Sequence, residues 1–165
     1  MWKRLIVLSQ VIVVLGSTIQ MLTSKKDGRL TKRRMAECLL SWSLPINGGV
    51  LEVVGFLSQI VHRKENAESM GLPASNPLQS EIAVAHLAFG VLGLLSFRFR
   101  GIFWLATAVG QVIFLIGIGV VHAREVLKQK IFLFDILMSL AHISLLKAYR
   151  PLEAQPRLWQ RVYRT

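Results

Sequence analysis

Four histidines and four carboxylates fall inside or at the ends of long apolar stretches of this chain: His62, His86, His122 and His142, with Glu37, Glu52, Glu81 and Asp135. Ionisable side chains in such stretches are costly and usually face a bundle interior or a water-filled cavity. A carboxylate beside an imidazole can take up and release a proton. Two or three histidines with a carboxylate suit zinc, copper or iron. Two facing rings among His86, His122 and His142 would suit a haem. The spacing narrows these options. No H-x-x-x-H or E-x-x-H pair occurs, so any metal ligands would come from different helices, and there is no C-x-x-C-H attachment. The motifs G-x-S-x-G, H-E-x-x-H, the P-loop and G-x-G-x-x-G are also missing. The single cysteine, Cys38, excludes an internal disulfide and a multi-cysteine zinc site, and reads as a small buried hydrophobe.

The elements that must position these groups are apolar blocks at 5–22, 35–61, 78–97, 102–121 and 131–149. Each approaches the ~20 residues that a helix needs to cross a bilayer core. The chain is 165 residues long and 53% hydrophobic, with a mean hydropathy of +0.49. It reads as one all-α domain, an integral membrane bundle of five transmembrane helices followed by a basic surface tail at 150–165. The first block is long for a signal peptide and lacks a small-x-small cleavage site, so it reads as a span. The second is interrupted by Pro45, Asn47, Gly48 and Gly49. It is either a kinked span or a re-entrant hairpin, and the hairpin would reduce the spans to four. Asn76-Pro77-Leu78-Gln79 reads as a helix start, with Asn76 as N-cap and Gln79 reaching back to it. Arg98-Phe99-Arg100-Gly101 reads as a tight turn making the third and fourth blocks an antiparallel hairpin.

The net charge of +11 sits between the blocks, as the positive-inside rule expects, and nucleic acid is not an expected partner. With five spans, one side carries Lys25, Lys26, Arg29, Lys32, Arg33, Arg34, Arg98, Arg100, Lys147, Arg150, Arg157, Arg161 and Arg164. The other carries Lys3, Arg4, Arg63, Lys64, Arg124, Lys128 and Lys130. The 13-to-7 balance places the C-terminus in the cytoplasm of a cell-membrane protein, with anionic lipid headgroups against the basic face.

At 100° per residue, Glu37, Ser41, Gly48, Glu52, Gly55, Gln59 and His62 fall within an arc of roughly 80° on the second block. Thr107, Gln111, Ile118 and His122 share a face of the fourth block, and Asp135, Met138, Ser139 and His142 one of the fifth. On the third, His86, Gly90 and Gly93 align, while Glu81 points about 140° away from His86. Antiparallel alternation puts His62, Glu81, His122 and Asp135 at one end of the bundle, with Glu52 and His86 deeper in the same half. The expected site is therefore a cluster of Glu52, His62, Glu81, His86, His122 and Asp135 near the non-cytoplasmic face. It would bind a lipid, a quinone, an ion or a partner subunit, a second copy of the chain included. The alternative is a small membrane enzyme or a metal or haem protein using the same residues; no cofactor is specified.

The runs Gly71-Leu72-Pro73, Asn76-Pro77-Leu78-Gln79-Ser80-Glu81, Gly90-Val91-Leu92-Gly93 and Arg100-Gly101-Ile102-Phe103-Trp104-Leu105-Ala106-Thr107 carry a resemblance, together with His122 and Phe134-Asp135-Ile136-Leu137. The chain resembles a family of small bacterial and archaeal multi-pass membrane proteins of unknown function, over about two-thirds of its length. That resemblance implies a helical membrane fold and no activity, substrate or cofactor. The basic first connection and the basic tail lie outside it.

Overall fold

The structure, a computed structural model, describes the backbone of residues 2–23, 31–69, 73, 77–125 and 131–149. Within these it describes the side chains of 4–23, 31–68, 73, 77, 79–118 and 136–149. The described residues are helical and include no strand. The connection at 24–30, residues Gly71, Leu72 and Asn76, and the tail at 150–165 lie outside them.

Helix α1 spans Trp2–Thr23. Helix α2 spans Lys32–Pro45 and starts at Thr31, whose side chain accepts a hydrogen bond from the Arg34 amide. That is an N-cap, satisfying one of the donors a helix start leaves open. Pro45 has no N–H to continue the ladder. The backbone responds with one π turn, Ile46–Val50, closed by the Leu51 amide on the Ile46 carbonyl. Helix α3, Leu51–Val61, follows without a break. The second apolar block is therefore one continuous helix with a π turn inside it, and the backbone does not turn back as a re-entrant hairpin would.

The polar stretch after it contains a short helix, α4, at Arg63–Ser69. Asn66 holds this helix to α3 by donating to the Ser58 carbonyl at 3.0 Å. Helix α5 spans Leu78–Leu95 with Pro77 as its N-cap and no side-chain cap bond. The expected capping role of Gln79 is not realised. Gln79 is buried, and neither its amide nitrogen nor its oxygen has a partner. Between α5 and α6, Ile102–Glu125, the chain turns tightly. Gly101 takes a positive φ of 69° there, a conformation cheap only for glycine. Trp104 Nε1 donates to the Ser96 carbonyl at 2.9 Å and ties the turn shut. Helix α7 spans Ile131–Tyr149.

The α2–α3 helix runs through the middle. Helices α1 and α7 pack along α2, α5 packs along α3 and the π turn, and α6 packs along α7. Ala36, Leu40, Leu44, Trp104, Ala108, Leu146 and Tyr149 form the main apolar cluster, joining α2, α6 and α7. Elsewhere the usual distribution is inverted. Ser9, Ser17, Ser43, Asn47, Glu52, Gln111, Ser139 and His142 are buried. Val7, Val14, Ile19, Val61, Val84 and Ile113 are each more than half exposed. Two stretches, Arg4–Thr23 and Lys32–Val61, are long and apolar enough to cross a membrane.

Candidate functional site

Glu52 lies in the first turn of α3, directly after the π turn. His86 lies midway along α5. Glu52 is nine residues before the end of α3 and His86 eight after the start of α5, about 12–14 Å at 1.5 Å per residue. Two antiparallel helices therefore bring them level. His86 Nδ1 and Glu52 Oε2 are 2.6 Å apart, a short contact in which an Nδ1–H would donate to the carboxylate. Glu52 is buried and the His86 side chain is 17% exposed. The ring is confined on other sides too. Its edge meets the Phe114 ring at 5.1 Å, and Phe114 stacks on Phe89. Below it is Gly55, where a Cβ would stand 3.0 Å from Nδ1. With Nδ1 committed to the carboxylate, Nε2 makes no hydrogen bond to a described residue and is the nitrogen open to a ligand.

The π turn collects the other polar groups. Helices α5 and π turn approach so closely that a Cβ on Gly49 would lie 2.8 Å from the Leu94 amide. A Cβ on Gly93 would run into the Gly48 backbone. Across the same turn, Gln111 of α6 donates from Nε2 to the Gly48 carbonyl at 2.7 Å. Asn47 faces the other way: its Oδ1 accepts from Gln10 of α1 at 3.1 Å, and both amides touch Met138 Sδ of α7 at 3.9 Å. One turn earlier, Ser43 Oγ and His142 Nε2 are 2.8 Å apart and buried. Helices α1, α5, α6 and α7 thus all meet the central helix at or beside its irregular turn. Helix irregularities of this kind concentrate at functional sites.

Four of the six expected residues have described side chains, and two of these come together. Glu52 and His86 meet. His62 is exposed at the end of α3 and pairs with Glu65 at 3.0 Å. Glu81 is exposed on α5. His122 and Asp135 lie in α6 and α7, but their side chains are outside the described residues. Among described residues no group of three histidine, cysteine or acidic side chains could hold a metal ion. His86 and His142 turn to different helices and do not face each other across a haem. The single polar face expected on the second block is divided: Ser41 bonds Gln20 of α1, Gly48, Glu52 and Gly55 face α6 and α5, and Gln59 accepts from Asn66 of α4. A π turn holds about one residue more than an α turn, which offsets the faces on either side by roughly 100°. A wheel with a constant step misses that offset. The buried pair Ser43–His142 and the half-buried pair Gln10–Asn47 were not in the expected site; the prolines and glycines of the block mark where they gather.

Residues 3–155 match the protein family described as a family of unknown function, DUF6790. The chain belongs to DUF6790. No curated protein and no solved structure is similar to it. Membership in DUF6790 brings no activity with it, so the chemistry of this member rests on its own side chains. The DUF6790 match takes in every residue of the Glu52–His86 contact and of the π turn.

Proposed function

We propose that this chain is a five-span membrane protein whose Glu52–His86 pair binds an amphipathic molecule through a polar headgroup, a lipid or a quinone. The observation that carries this is the 2.6 Å contact that fixes His86 and leaves Nε2 open beside an apolar wall of Phe114 and Phe89. A lipid headgroup N–H or O–H would donate to Nε2 of a neutral ring, a quinone carbonyl would accept from Nε2–H of a protonated one, and the apolar chain would lie along the aromatic side. Among the described residues no third histidine, cysteine or acid joins the pair in a cluster, which favours binding over catalysis.

Support for the membrane setting comes from the inverted burial, with apolar side chains outward and serines, amides and a carboxylate inward. In water such an exterior would aggregate, whereas in lipid it is the ordinary arrangement. The remaining helices α5, α6 and α7 supply three further spans under this reading. Arg98, Arg100 and Lys147 then lie on one face with Phe97, Phe99 and Phe103, a mixture of cations and aromatics suited to a cytoplasmic headgroup layer.

The test is native mass spectrometry of protein extracted from its own membranes. Wild type is expected to retain a defined small molecule, and His86→Ala to lose it while staying folded. The retained mass separates a lipid from a quinone. Equal retention by both proteins, or none by wild type, overturns the assignment.

A further inference from the structure

The start of α2, the turn between α5 and α6, and the end of α7 meet at one end of the bundle. Glu37 of α2 reaches Arg100 of the turn, and the rings of Trp104 in α6 and Tyr149 in α7 lie 5.3 Å apart. Among the described residues this end carries the cations Lys32, Arg33, Arg34, Arg98, Arg100 and Lys147, and a single acid, Glu37. Three of the cations gather around that acid. The buried Tyr149, whose hydroxyl is bonded to the Gly101 backbone, lies within reach of the charges of Glu37, Arg33 and Arg100. Cys38 lies within reach of Glu37, Arg34 and Arg100. One carboxylate cannot neutralise three guanidinium groups. The first turn of α2 adds to the imbalance, since it holds no acid at the helix end whose amides are already positive.

Arg100 is the best placed of these to take an outside anion. Its guanidinium lies over the Trp104 ring, 5.5 Å from the centroid and within cation–π range. Trp104 is fully buried and tied to Ser96, so the platform under the guanidinium is fixed. A carboxylate that saturates an arginine makes two parallel bonds of about 2.7–2.9 Å. Glu37 makes one contact, from one Nη, at 3.4 Å. The pair is open to its surroundings, with side chains 50% and 38% exposed. Among the described residues no other hydrogen bond reaches the planar fork, which suits two oxygens of a phosphate. Large apolar side chains also stand exposed at this end: Met35, Leu95, Phe97 and Phe99. A free phosphate ion has no use for them, whereas the acyl chains of a lipid would cover them. A headgroup with its own ammonium would set another cation among the arginines, so the fitting lipid is a phosphodiester without one.

We propose that Arg100 and Arg33 form a discrete site for one anionic phospholipid of the phosphatidylglycerol type, with its phosphate on the Arg100 fork and its acyl chains against the exposed apolar side chains. The site rests on the membrane setting proposed above and not on the Glu52–His86 pair. It differs from the general attraction of basic residues to a headgroup layer, in which every lysine and arginine counts alike.

The experiment is native mass spectrometry of the whole protein released from nanodiscs of phosphatidylcholine with a minor share of phosphatidylglycerol. Wild type is expected to retain one phosphatidylglycerol per chain in preference to phosphatidylcholine. Arg100→Gln and Arg33→Gln should each lower that retention about tenfold or more. Arg100→Lys, which keeps the charge and loses the fork, should lower it about threefold or more. Lys147→Gln at the same end and Arg63→Gln on α4 should change it by less than about twofold. Glu37→Gln removes the competing carboxylate and should strengthen retention, which a variant that had merely unfolded would not do. No preference for phosphatidylglycerol in wild type, or equal losses in all the Arg and Lys→Gln variants, overturns the proposal. Displacement of the lipid by millimolar inorganic phosphate also overturns it, because phosphate alone would then be the ligand. A lipid held here is lost in Arg100→Gln, which separates it from a molecule held at His86. Failure of the His86→Ala test would leave these readouts unaffected.

Discussion

The Glu52 carboxylate is held by His86, whose ring Gly55 confines on one side. Glu52→Ala takes away the acceptor of a charge-assisted bond and leaves His86 oriented only by Phe114. Interhelical hydrogen bonds in membrane bundles are worth about 0.6–1.7 kcal/mol, and a loss in that range is expected here. His86→Ala should cost a similar amount, and the double variant little more than either alone, since both remove the same contact. Thermal unfolding of the four proteins in nanodiscs measures this; fully additive losses would mean the two side chains do not interact. The glycines give a sharper contrast. An added methyl at Gly93 meets the Gly48 backbone, which cannot yield as a side-chain tip can. Gly93→Ala should therefore destabilise by about 1–3 kcal/mol. Gly117 has nothing within 4 Å of the same methyl. Gly117→Ala should be neutral or stabilising by up to about 1 kcal/mol, the helix preference for alanine over glycine. The same melting series checks both, and equal effects would refute the close packing at the π turn.

Helix α1 touches the rest of the bundle through few polar contacts, and these cluster near two residues. Gln20 Oε1 accepts from both Ser41 Oγ and Trp42 Nε1, at 2.8 and 2.9 Å. Gly16 lies flat against the Trp42 ring, where a Cβ would come within 2.6 Å of its carbons. Gly16→Leu should push α1 off α2 without unfolding α5–α7, and Gln20→Leu should weaken the same contact less. Limited proteolysis in micelles would show cleavage near residues 24–30 accelerating in that order; unchanged rates would mean that α1 is held elsewhere. At this scale the sequence was largely transparent. Uninterrupted apolar runs bounded by charge or glycine announce helices, because bilayer-length runs have no other way to satisfy their backbone. The pairing of Glu52 with His86 was legible as a shared depth, since antiparallel helices of known ends fix relative height. Azimuth was not legible. Pro45 marked an irregularity, but the size of the offset depends on whether the backbone answers with a kink or an extra residue. That choice is settled by Gly48, Gly49, Gly90 and Gly93 packing together, a contact between elements rather than a property of one.

The bundle as a whole is polarised: its polar interior lies around one irregular turn, and its exterior is apolar along most of its height. Under the five-span reading, single cysteines placed at Arg33 and His62 should label from opposite sides of sealed vesicles with an impermeant maleimide. Cys38 is buried and should contribute little background. Labelling of both from one side would refute the topology. The π turn has one more consequence, for the chain's tolerance of length change. It accommodates a residue that a regular helix would not contain, so α2 and α3 keep their partners on either side of a local surplus. Shortening the chain by Val50, which faces outward, would convert the surplus into an ordinary turn. Ser43 would still meet His142, and Glu52 would still meet His86. Removing Leu57 instead would rotate the end of α3, and α4 with it, by about 100° against α5. The central helix is a member with one built-in place to be cut, and its neighbours would barely register the loss.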